Sequence, residues 1–240
     1  MNHKPIVGVI SKPNIFCDEQ LFTQQIIYDG VRNAVLKNNG LVVGILPTKI
    51  SNKFCNSDEI IDGTFFNEME LNDLYLLIDK CDGIIIQGGL SSDDYEIKAT
   101  KYAIDNNIPV LGICAGFNNI IRAMGGKVFC IENTIHNTED GSLVHKNIIK
   151  ENTLLYDILK TNEVSVNSIH TMFANEEDIK NLDISAYSED GYVEAVELRD
   201  KRFCLGVKWH PELMANDEKM NNIFKYFIDA CKGVECDERK

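Results

Sequence analysis

Short apolar runs alternate with segments of helical periodicity through the first half of the chain. Pro5 to Ile10, Leu41 to Leu46, Gly83 to Ile86 and Val110 to Ile113 are dominated by aliphatic residues, and each predicts a buried strand. Between the first two, Ile27, Val31, Ala34 and Val35 share one helical face, and Asn38, Asn39 and Gly40 stop it. Leu71, Leu74, Leu77 and Ile78 mark a second helix, and Tyr95 to Asn106 a charged third one. Phe117, Ile120, Ile121 and Met124 then follow at i, i+3, i+4 and i+7. Such alternation is the pattern of a parallel sheet covered by helices on both faces. A polar loop runs through Lys12, Pro13 and Asn14. The stretch from Pro47 to Asn67 is polar, irregular and longer than an ordinary connection, which reads as a functional lid or a disordered loop.

After Gly126 the pattern changes to shorter β-like runs. These are Lys127 to Ile131, Leu143 to Ile149, Val164 to Val166, Ile184 to Tyr187, Val193 to Leu198 and Phe203 to Trp209. Their close spacing suits hairpins and predicts an antiparallel edge on the sheet. Met220, Ile223, Phe224, Phe227, Ile228 and Cys231 form one face of a closing helix, and Glu235 to Lys240 reads as a frayed tail. No repeat or linker divides the chain, so residues 1–240 are expected to form a single domain.

With 240 residues and 44% hydrophobic content the chain can bury a sizeable core. The net charge of −13 argues against nucleic acid, whose phosphates need clustered Lys and Arg. No apolar run approaches the length of a membrane span and no leader-like segment is visible, so a soluble, cytoplasmic protein without a membrane partner is expected. The eight cysteines are scattered and read as mostly reduced and structural. Neither C-x-x-C nor H-E-x-x-H spacing occurs, which leaves a zinc site little support.

One cysteine stands apart. The run to Ile113 breaks at Cys114 and the helical pattern starts at once, so GICAG reads as strand, sharp turn, helix: the thiol counterpart of the G-x-S-x-G elbow. A cysteine beside the free N–H groups of a helix start is biased towards thiolate, although a glycine-flanked cysteine can also simply be packed. Gly88 and Gly89 follow a central strand, where backbone N–H groups can approach a ligand or merely end a strand. In GVKWHPE a buried-type strand delivers His210 to its end, with Glu212 two residues on. A thiol nucleophile needs such a base and orienting carboxylate.

GICAG with GVKWHPE resembles the class I glutamine amidotransferase superfamily, which implies a flavodoxin-like sheet and a Cys114, His210, Glu212 triad. The gamma-glutamyl-gamma-aminobutyrate hydrolase (peptidase C26-type) branch fits more closely. HKPIVGVI (3–10), GIIIQGG (83–89), DYEI (94–97), VNSIH (166–170) and EDGYVEAVE (189–197) match its pattern in order. The resemblance implies an oxyanion hole from Gly88 or Gly89 with the Ala115 N–H, and a substrate-side set of Asn118, Asn167, Ser168 and His170. The last three could equally form a strand-ending turn. Glu194 and Glu197 match too, but on an alternating strand a carboxylate usually belongs to the solvated face. Ala115 stands where the branch usually has Arg, Asn118 where most relatives have Gln, and Thr171 and Met172 where His-Gln is usual. These departures imply an altered pocket.

The resulting expectation is a hydrolase that cleaves the amide of a gamma-glutamyl or glutamine-like small substrate through a thioester on Cys114. Neither metal nor organic cofactor is implied, and a homodimer is compatible with the sequence. Two alternatives stay open: a glutaminase subunit supplying ammonia to a separate synthetase, and a ligand-binding or regulatory protein on the same fold.

Overall fold

A computed structural model describes residues 4–14, 24–49, 65–89, 93–132, 134–138, 141–214 and 216–234. Most of the expected lid between Pro47 and Asn67, and the tail from Glu235, lie outside the described residues. The apolar runs become β1 (Ile6–Ile10), β2 (Leu41–Ile45), β3 (Gly83–Ile86) and β4 (Val110–Ile113). The second half adds β5 (Leu143–Ile149), β6 (Glu163–Asn167), β7 (Asp183–Ser188), β8 (Val193–Glu197) and β9 (Cys204–Val207). All belong to one sheet of order β2-β1-β3-β4-β9-β8-β7-β5-β6. Pairing is parallel from β2 across to β9 and antiparallel from β9 to β6. The chain's last strand is therefore inserted mid-sheet, beside β4, and the expected antiparallel edge takes up four of the nine strands.

Helices cover both faces, as the alternating pattern requires. On one side lie α1 (Asp29–Lys37), α5 (Leu154–Leu159) and α6 (Glu218–Cys231), packed on Val7, Val9, Ile85, Leu111 and Leu205. On the other lie α2 (Glu68–Ile78), α3 (Asp94–Asp105) and α4 (Ala115–Ala123), packed on Ile10, Ile84, Ile86 and Val110. Successive side chains of β3 thus enter opposite cores, which explains why its sequence is apolar throughout. Asn39, at φ 67, closes α1 in the left-handed conformation that asparagine tolerates. In α6, Asp217 accepts from the N–H groups of Lys219 and Met220, and the buried side chains of Ile223, Phe224, Phe227 and Ile228 each stabilise the fold by roughly 1.5–3 kcal/mol.

Two expectations need correction, and one short helix has no counterpart in the sequence pattern. The run Lys127 to Ile131 shrinks to Phe129–Cys130, which among the described residues pairs with Met172–Phe173 alone, in a separate ribbon. Helix α5 is too short for periodicity to reveal. Its start is held by Thr153, which accepts from the Tyr156 N–H, and by the Glu197 carboxylate, which accepts from the N–H groups of Leu154 at 2.7 Å and Leu155 at 3.2 Å. Glu197 and Glu194 are accordingly not on a solvated face; β8 is covered on both sides and both carboxylates are buried.

A buried ion pair links the sheet to the helices near the β3 end. Lys12 Nζ lies 2.6 Å from Glu96 Oε2 of α3, and Asn119 Nδ2 of α4 donates to the same oxygen at 2.7 Å. Burial raises the Glu96 carboxyl to about 7, against the pull of Lys12 and Asn119. Lys12→Met should destabilise the protein by about 3–5 kcal/mol at pH 8, because it strands a buried carboxylate. The sign of the pH effect follows from the raised value. The folded state holds the Glu96 proton more tightly than the unfolded chain, and losing Lys12 strengthens that hold further, so the deficit should shrink as pH falls towards 5. Urea unfolding of both proteins at the two pH values checks this; a deficit unchanged by pH would exclude a charge penalty.

Candidate active site

Strand β4 ends at Cys114, whose backbone sits at φ 52 and ψ −100, a strained conformation for a residue other than glycine. The strain comes from starting α4 at the very next residue. Gly116 makes that possible, because a Cβ there would overlap the Ile86 carbonyl oxygen of β3. The thiol is thereby raised over the carboxyl ends of β3, β4 and β9, at the N-terminus of α4.

His210 follows β9 and its Nδ1 lies 2.7 Å from Glu212 Oε1, an ion-pair geometry that leaves Nε2 for the thiol. The backbone of His210 is pinned from both sides by one carboxamide. Its N–H donates to Asn167 Oδ1 at 2.8 Å, and its carbonyl accepts from Asn167 Nδ2 at 2.9 Å. Gly88 closes the other side, where a Cβ would lie 2.6 Å from His210 Cε1.

Cys114 and His210 share a side-chain hydrogen bond. Burial alone would push the thiol up, but the charge and hydrogen bond of His210, with the charge of Lys208, outweigh it and the opposing Glu212, so the thiol is held below its ordinary value. Burial alone would pull His210 down, yet the charges and hydrogen bonds of Cys114 and Glu212 hold the imidazole well above its usual range. Both shifts run in the direction that favours a thiolate beside an imidazolium. Burial moves the other core thiols the opposite way, Cys81 to about 11 and Cys204 to about 12.

Two cavities meet at Cys114. A polar recess of about 70 Å³ lies on the side of Ala115, Asn118, His170, Met172 and Lys208. A larger space of about 410 Å³ opens over Tyr28, Gly30, His210, Glu212 and Leu213. Gly89 and Ile169 border both. The wall at Tyr28 is fastened by Gln87, which accepts from the Tyr28 N–H and donates to the carbonyls of Ile10 and Ile26.

The Peptidase C26 family profile matches residues 5–212, a span that includes Cys114, His210 and Glu212. The chain belongs to the Peptidase C26 family. Among curated relatives, a CTP synthase of Sulfurisphaera tokodaii is 33% identical over 185 residues, covering 64% of this chain but 35% of that protein. The chain spans only about 35–40% of the length of the CTP synthases it matches. The gamma-glutamyl-gamma-aminobutyrate hydrolase PuuD of Escherichia coli is 26% identical and aligned over nearly full length, 96% of this chain and 94% of PuuD. In fold, the chain is similar to the glutaminase domain of a Trypanosoma brucei CTPS with bound acivicin, with a TM-score of 0.65, 18% identity, and coverage of 98% of this chain and 99% of that one.

In this Peptidase C26 chain, Cys114, His210 and Glu212 converge, and Gly89 and Ala115 border the thiol. Asn118 faces the same recess, but its Oδ1 accepts from Lys208 Nζ at 2.8 Å. His170 borders the recess as well, with Nδ1 held by the Met172 carbonyl at 3.1 Å. Asn167 lines neither cavity, and both ends of its carboxamide bind the His210 backbone. Ser168 is fully buried and lines neither cavity; its carbonyl accepts from Thr138. Sequence reasoning missed Lys208, although a lysine inside the apolar run of GVKWH was a signal. Its ammonium is buried, lies 5.5 Å from the Phe117 ring centroid and brings positive charge to the recess. Tyr28, just ahead of α1, carried no such signal.

Proposed function

We propose that this chain is a cysteine-dependent hydrolase of gamma-glutamyl amides, acting through a thioester on Cys114 and preferring an amine portion larger than ammonia. The observation that carries the reading is the division of space about the thiol. His210, which returns the proton to the departing amine, borders only the larger cavity, so the amine leaves on the Tyr28 and Leu213 side. That cavity of about 410 Å³ would be left mostly to water by ammonia, a group about as small as water at ~30 Å³. The acyl end then falls in the recess, where the Lys208 ammonium suits a carboxylate.

In the first step the Cys114 thiolate attacks the amide carbon, and the oxyanion is received by backbone N–H groups of Gly89 or Gly88 and Ala115. Collapse of that intermediate breaks the C–N bond, with the His210 proton going to the amine nitrogen. Water, deprotonated by His210, then hydrolyses the thioester to release the acid and regenerate the thiolate. Full-length similarity to PuuD supports the gamma-glutamyl assignment.

Steady-state kinetics of the purified chain test the reading. A gamma-glutamyl amide of a bulky, weakly polar amine should exceed free glutamine in kcat/KM by about tenfold to a hundredfold. A preference for glutamine overturns the specificity. Silence on every amide until a second protein is added would favour an ammonia-supplying subunit, the reading that similarity to CTP synthases brings.

A further inference from the structure

Behind the recess, the antiparallel half of the sheet holds four ligand-type side chains from four separate segments. His136 lies in the turn before the Asn137 to Ile169 bridge, His145 on β5, His170 after β6 and Glu194 on β8. Each offers one ligand atom, and the four atoms lie within 4.8 Å of one another. All four residues are buried, at 1%, 9%, 6% and 1% exposure.

The hydrogen bonds about the cluster are arranged in a consistent sense. His136 Nε2 meets Asp190 Oδ2 at 2.9 Å, His170 Nδ1 meets the Met172 carbonyl at 3.1 Å and His145 Nδ1 faces the Lys146 carbonyl at 3.4 Å. Each of these partners is an acceptor, so each of these nitrogens carries the proton and the opposite nitrogen keeps its lone pair. Glu194 Oε2 accepts from Asn147 Nδ2 at 3.3 Å. What remains are His136 Nδ1, His145 Nε2, His170 Nε2 and Glu194 Oε1, and none has a hydrogen-bond partner among the described residues. Three lone pairs and a carboxylate oxygen thus converge with no donor among them, an arrangement that a shared cation resolves. Outer partners that fix imidazole tautomers are also what metal-bound histidines usually have. His170 Nε2 and Glu194 Oε1 stand 3.6 Å apart, longer than a hydrogen bond but close to the ~3.3 Å edge of a tetrahedron with bonds of about 2.0–2.1 Å.

We propose that His136, His145, His170 and Glu194 form a binding site for one divalent cation of the zinc type, with three imidazole nitrogens and one carboxylate oxygen as ligands. The spacing of the ligands along the chain gave no hint of it, because they come together only when β5, β6, β7 and β8 assemble into the sheet. Four protein ligands fill a tetrahedral shell, so the site is structural rather than hydrolytic. It ties His170, and with it the Ile169 to Met172 wall of the recess, to β5 and β8. Lys208 is the other positive charge acting on His170 and Glu194, and the metal must bind in competition with it. Any proton held by Glu194 or an imidazole leaves to solvent as the ion enters.

The test uses untagged, chelator-stripped full chain carrying Cys114→Ser, so that the catalytic thiol cannot serve as a ligand. Titration with zinc against a chromophoric indicator should show one equivalent bound with sub-micromolar affinity. Cobalt(II) in the same protein should give the intense visible bands of a tetrahedral site without thiolate charge transfer. His145→Ala and Glu194→Gln should each weaken binding on the order of a hundredfold or more. Should either variant fail to fold, the cobalt spectrum and a zinc-dependent rise in melting temperature of the parent protein decide the matter. Absence of stoichiometric binding, an octahedral cobalt spectrum, or affinity unaltered in the two folded variants would each overturn the proposal.

Discussion

Cys114→Ser should lower kcat/KM for a gamma-glutamyl amide by about 10⁴-fold or more and leave the protein folded. The charge and hydrogen bond of His210 hold the Cys114 thiol below its ordinary value. A serine hydroxyl lies far too high on the acidity scale to give up its proton to the same imidazole in the ground state. Little else changes, because the replacement differs by one atom and the glycines that shape the elbow remain. Alkylation offers an independent reading. Near pH 6 a small haloacetamide should label Cys114 ahead of Cys81, Cys204 and Cys231, all of which burial pushes up. Peptide mapping by mass would show which thiol reacts. Rapid modification of one of those three instead, or a serine variant of full activity, would remove Cys114 as nucleophile.

The second large effect is expected from Glu212→Gln. The glutamine keeps the shape, but it exchanges a charge that favours imidazolium for a neutral amide that can turn its NH₂ group towards Nδ1. A loss of about 10²- to 10³-fold in kcat/KM is expected. The pH profile carries the more specific signature. Glu212 raises both His210 and Cys114, so removing its charge should lower both. Activity needs the thiolate and a protonated imidazole together. The acid limb, where the thiolate forms, and the alkaline limb, where His210 loses its proton, should therefore both move to lower pH. A profile that merely falls in height would leave Glu212 a packing residue.

The parallel half of the sheet and its helices could be read from the sequence because each strand there is buried on both faces by helices that carry their own periodicity. Ile84 and Ile86 enter one core and Ile85 the other, so a bare apolar run was sufficient. Legibility fell where tertiary partners set the structure. Helix α5 depends on Glu197, which is more than forty residues away, and the Phe129–Cys130 ribbon exists only because Met172–Phe173 lies beside it. Cys114, His210 and Glu212 stood out because an elbow and a strand end each imprint a short motif. Asn167 and His170 could be noticed in VNSIH, but not what they do. One clamps the His210 backbone and the other turns towards Glu194, and neither partner is near in sequence.

The mid-sheet position of β9 also orders events in time. During synthesis the nucleophile strand β4 emerges on the order of ninety residues before its neighbour β9, a delay of about ten seconds at ~5–20 residues per second. Until β9 arrives, one side of β4 is an unpaired edge, and His210 and Glu212 have not been made. The nascent chain thus carries Cys114 without these partners for about ninety residues of further synthesis. Insertion of a single strand then pairs the open side of β4 and brings His210 and Glu212 to Cys114 in the same step, so the site and the sheet are completed together.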